Sequence, residues 1–80
     1  MGSRVLKLSE AREGGVYRVA RVEGTGLVKR RILDLGIIPG SIVRVVRRAP
    51  LGDPIEVVVR GYPVSVRSSE AEHVIVEEVK

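Results

Sequence analysis

The chain has no cysteine, phenylalanine or tryptophan among its 80 residues, and neither asparagine nor glutamine. Without cysteine there can be no disulfide, no thiolate zinc site and no thiol nucleophile. With Tyr17 and Tyr62 as the only aromatics, there is little on which nucleic-acid bases could stack. One histidine, His73, would have to serve any Ser–His scheme alone. No Gly-rich phosphate loop is present, since Gly24-Thr25-Gly26 lacks the lysine and the spacing of one. No apolar run approaches the roughly 20 residues of a membrane span, so direct membrane insertion is not expected. The opening MGSRVLKLSE is too polar for a signal peptide. Together these absences point to a soluble, intracellular chain, with little support for nucleophilic catalysis and no cofactor expected.

What is present is mostly aliphatic. Hydrophobic residues make up 44%, with valine dominant, and charged residues 30%. A Val-rich, Phe-free composition favours β-structure around a small aliphatic interior. The charge content and the lack of Asn and Gln suggest a thermophilic source. Residues 1–80 read as a single small domain, without repeats, linkers or low-complexity segments. The net charge of +4 and pI near 10.1 invite three partner classes: nucleic acid, an acidic protein or an anionic membrane face.

Leu27–Gly40, LVKRRILDLGIIPG, is the stretch around which the rest is arranged. At about 100° per residue, Leu27, Val28, Ile32 and Leu35 share one apolar arc of a helix. Gly36 follows the last periodic apolar residue, where a left-handed residue ends a helix. Pro39-Gly40 then makes a tight turn. Arg31 falls inside the apolar arc and Leu33 opposite it. Arg31 can be read as snorkelling, its stem on the core edge and its guanidinium in water or on a carboxylate. Leu33 can be read as a second core contact or a singly exposed residue. Alternatively both belong, with Lys29, Arg30 and Asp34, to a surface that meets a partner. The helix charges run against the macrodipole, basic early and acidic late, so helix stability is not their main role.

The remaining pattern gives five short strands: Val16–Val22, Ser41–Arg48, Ile55–Arg60, Tyr62–Arg67 and Val74–Val79. Arg18 and Arg21 fall on opposite faces of the first by strict alternation. Gly61 breaks between two strands, and Pro63 marks an edge or a strand start. Ser9 and Ser68 open short helical turns, and Thr25 is the expected cap of the main helix. Consecutive short antiparallel strands favour a mainly β, SH3-like five-stranded barrel, because closure removes sheet edges. The one main α-helix would cover its side, with one or two short helical turns besides.

Glu70-x-x-His73 with Glu77 is the only cluster resembling a metal site, and it is too few ligands on too short a helix. Arg44, Arg47, Arg48, Arg60 and Arg67 could form a basic stripe for phosphates. Glu56 and Asp53 interrupt it, which favours a solvated face with cross-strand ion pairs over nucleic-acid binding.

Arg30 to Gly40 resembles the signature of the FeoA family, roughly basic-Arg-Leu-x-x-Leu-Gly-Leu/Ile-x-Pro-Gly. Ala49-Pro50-Leu51-Gly52-Asp53-Pro54 is similar to that family's P-L-G-x-P loop. Gly61 with Val64, Val66 and Arg67 resembles its G-x-x-[IV]-x-[VL]-R strand, and Leu8-Ser9 to Gly14 its opening. Ile32 and Asp53 are mild departures. The resemblance implies an SH3-like barrel in the cytosol, supporting the FeoB-type membrane GTPase transporter of ferrous iron uptake without catalysis. Gly36, Pro39, Gly40 and Gly61 would then be structural turns, and Lys29, Arg30, Arg31, Leu33 and Asp34 the candidate partner surface. The same domain closes metal-dependent repressors resembling the diphtheria toxin repressor, but the helix-turn-helix and metal portions are missing here. A small nucleic-acid-binding barrel, or self-association through a barrel edge, are the competing expectations.

Overall fold

The computed structural model describes residues 4–79. Six strands form one antiparallel sheet: β1 (Val5–Lys7), β2 (Val16–Val22), β3 (Ile42–Arg48), β4 (Ile55–Val59), β5 (Tyr62–Val66) and β6 (Val74–Glu78). Their order across the sheet is β1-β6-β2-β3-β4-β5. The main helix α1 spans Gly26–Asp34, a second helix α2 spans Ser68–Ala71, and a 3-10 turn occupies Leu8–Glu10. The mainly β, one-helix expectation holds, with one strand added. β1 escapes periodicity because only Leu6 of its three residues is partly buried. The edges β1 and β5 do not pair with each other. The sheet therefore wraps its core without closing, and its edges are protected in another way. One is three residues long and the other carries Pro63, which has no N–H to offer a neighbour.

Alternation sets which side chains fill the interior. Val43 and Val45 on β3, Val57 and Val59 on β4, and Val66 on β5 are buried, while Arg44 faces out. Each buried valine contributes about 1.5–3 kcal/mol of transfer free energy. Tyr17 is the one aromatic in the core, and its hydroxyl accepts the Arg12 N–H at 3.2 Å. No buried side-chain nitrogen or oxygen among the described residues lacks a partner.

Two bulges correct strict alternation. The β2–β6 register shifts between Val19 and Arg21, so Ala20 takes the extra position. Arg18 and Arg21 are consequently both exposed, not on opposite faces. The β3–β4 register shifts likewise between Val45 and Arg47. That shift frees Arg48 to turn inward, where its guanidinium donates to the Ser9 carbonyl at 2.7 Å and the Ala11 carbonyl at 2.6 Å. Arg48 thus leaves the expected basic stripe and ties β3 to the chain's opening segment.

Turns fall at Gly36, Pro39-Gly40 and Arg60-Gly61. Gly36 has φ +93, its N–H donates to the Leu33 carbonyl, and the Ile37 N–H reaches back to Ile32. Ile32 and Ile37 are both fully buried, completing the hydrophobic contact of a Schellman helix end. The Ser41 N–H closes the Pro39-Gly40 turn on the Ile38 carbonyl at 3.0 Å. Arg60 and Gly61 both have positive φ and form the two-residue loop between β4 and β5.

Candidate functional site

The helix α1 is docked by its far end. Ile32 is buried, and Leu33 and Leu35 pack half-buried against the core. The first turn stands clear of the sheet, with Leu27 84% exposed and Val28 40% exposed. The apolar arc of Leu27, Val28, Ile32 and Leu35 is therefore not a single buried face. The covered stripe is Ile32, Leu33 and Leu35, extended by Ile37 beyond the glycine. Sequence periodicity gives the phase of a helix but not the point along it where the barrel begins. Thr25 occupies the cap position but makes no side-chain hydrogen bond there.

Arg31 and Glu70 fix this helix in place. Arg31 Nε donates to Glu70 Oε2 at 2.5 Å, and Glu70 Oε1 accepts the Arg67 N–H at 3.0 Å. Glu70 is only 8% exposed, so one carboxylate both caps α2 and holds α1. Of the two readings of Arg31, its guanidinium does lie on a carboxylate. The same contact commits Glu70, so the Glu70–His73–Glu77 cluster does not assemble. No group of three His, Asp or Glu side chains among the described residues has ligand spacing. His73 packs instead beside Gly24, and its carbonyl accepts the Glu23 N–H.

Leu27, Arg30, Arg31, Asp34 and Leu35 line a shallow groove of about 420 Å³ along α1. Lys29, Arg30 and Asp34 are exposed. Of the residues singled out from sequence, Arg30, Arg31 and Asp34 line this groove, and Lys29 is exposed without lining it. Leu33 is turned towards the core, and Leu27 supplies the exposed apolar side chain that Leu33 was expected to supply. Its 84% exposure was hidden in the sequence by its place on the apolar arc.

The expected basic stripe is broken up. Arg47 pairs with Glu56 at 3.1 Å, and that hydrogen bond raises the Arg47 pKa further above its ordinary value. Arg48 is bound to backbone carbonyls. Arg44, Arg60 and Arg67 remain exposed. No helix among the described residues is long and apolar enough to cross a membrane.

The model of the FeoA domain family matches residues 6–78. A Fe(2+) transport protein A/Fe(2+) transporter FeoB fusion protein of Porphyromonas gingivalis is 39% identical over 72 residues. That match covers 90% of this chain but 8% of the fusion protein's length. The FeoA-like protein of Clostridium acetobutylicum superposes with a TM-score of 0.90 at 34% identity, over 100% of this chain and 92% of that one. The FeoA of Stenotrophomonas maltophilia, a prokaryotic SH3 domain protein solved with zinc, gives 0.77 at 32% identity. That superposition covers 89% of this chain and 88% of the other.

Proposed function

This chain belongs to the FeoA family, and from that premise we propose that it is a non-enzymatic docking module of ferrous iron uptake. It binds the cytosolic part of a FeoB-type membrane GTPase transporter through the exposed first turn of α1. The fusion protein of Porphyromonas gingivalis carries this reading. Joining two modules in one chain raises their mutual effective concentration to the millimolar range for short linkers, which matters only if they act on each other.

The groove beside α1 supports the choice of surface. Leu27 offers nearly its whole side chain, whose burial against a partner is worth about 2 kcal/mol. Lys29 and Arg30 supply charge that steers an acidic partner and fixes the register of docking. The helix is held rigidly at its other end by Arg31 and the buried Ile32, so little ordering cost accompanies binding.

The test is an NMR titration of isotopically labelled protein with the soluble GTPase portion of a cognate transporter. Saturable shifts over residues 27–35 are expected, and Leu27→Glu should remove them while leaving the melting temperature in place. Shifts confined to another face would overturn the assignment to α1, and no shifts at high concentration would overturn the partner.

A further inference from the structure

The outer face of the sheet, away from α1, has an unusual make-up. Val16, Arg44, Val58 and Pro63 lie in one row across β2, β3, β4 and β5. In the adjacent row Arg18 stands opposite Ile42, which is 42% exposed. Arg60 joins Ile42 along a shallow groove of about 500 Å³ beside the Pro39-Gly40 turn. Arg18, Arg44 and Arg60 make no ion pair among the described residues. Three guanidinium groups without an ion pair, with Glu77 opposite Arg18 across the β2–β6 ladder, therefore surround the apolar side chains of this face.

From this we infer that the outer face of β2–β4 is a second docking surface, for an acidic polypeptide segment that also carries aliphatic side chains. Charge selects the acidic character. The apolar residues select a polypeptide, because Ile42, Val58 and Pro63 have no partner on a phosphate backbone and Tyr62 alone makes a poor stacking platform. A second copy of this chain supplies little of the required charge. All its acidic side chains except Asp34, Glu72 and Glu77 already accept an N–H or hold a guanidinium. The segment belongs to a partner polypeptide, and the outward residues give it a continuous track around the wrapped sheet.

The experiment needs no transporter, so it stands apart from the α1 assignment. Labelled protein is titrated with a synthetic peptide of alternating Glu and Leu, with an all-Glu peptide of equal length, and with a single-stranded DNA oligonucleotide of equal charge. The Glu/Leu peptide should shift Arg18, Ile42, Arg44, Val58 and Arg60 and weaken with added salt. The all-Glu peptide should bind about tenfold less well, since it lacks the apolar contact. Arg44→Gln and Ile42→Ser, both at exposed positions, should each weaken the Glu/Leu peptide by about tenfold at unchanged melting temperature. Preference for the oligonucleotide, shifts centred on α1, or undiminished binding by both variants would overturn the inference.

Discussion

Removing the Glu70 carboxylate tests how α1 is held. Glu70→Ala deletes a cap on α2 and the anchor of Arg31 in one step. Loss of the cap costs about 1 kcal/mol. Loss of a charge-assisted hydrogen bond from a nearly buried carboxylate costs about 1.5 kcal/mol more at an interior site. The Arg31 side chain is 56% exposed, so water recovers part of that, and the expected total is about 2 kcal/mol. For a domain of this size that is a fall of about 8–16 °C in melting temperature. Arg31→Ala should cost about 1 kcal/mol, because Glu70 keeps the Arg67 N–H. The double variant should lose less than the two single losses together, by about 0.5–1 kcal/mol. Thermal and urea unfolding of the four proteins completes the cycle. Strict additivity would refute the tether, and so would an α1 that shows unchanged amide exchange in Glu70→Ala.

Gly36→Val places a β-branched residue at φ +93, and calorimetry should show a loss of about 2–3 kcal/mol although the added Cβ meets nothing closer than Val59 at 3.8 Å. Leu33→Glu should destabilise by about 2 kcal/mol or more because it carries a charge into a core contact, whereas Leu27→Glu should stay within about 0.5 kcal/mol. Urea midpoints separate these two, and equal midpoints would place Leu33 outside the core. Arg48→Lys keeps the charge but lacks the planar guanidinium whose one terminal nitrogen reaches both carbonyls, so chemical denaturation should register about 1 kcal/mol lost.

Local chemistry was the readable part of this protein. Gly36, Pro39-Gly40 and Gly61 announce their turns because positive φ and a preset φ leave few other residues suitable. Alternation in Val16–Val22 and Ile55–Val59 locates strands because one face must be buried. The unreadable part is long-range. Arg31 finds Glu70 across 39 positions, and Arg48 finds Ser9 across the same span. A bulge adds one residue and reverses the facing of everything after it, which is why Arg21 and Arg48 were misplaced. The groove beside α1 was half legible: its charges were named, but its exposed leucine was placed on the apolar arc of the helix.

Strand β6 slots between β1 and β2, with Val76 beside Leu6 on one flank and Val19 on the other. A ribosome-bound chain can assemble β2 to β5 early, yet their interior stays open to water until β6 arrives. Association of β6 with β1 and β2 spans most of the polypeptide, so its loop-closure entropy is paid late. Folding of the domain would therefore end in a single cooperative zipping step, and shortening the chain ahead of β6 would leave β1 unpaired and one edge of β2 open for other molecules to find.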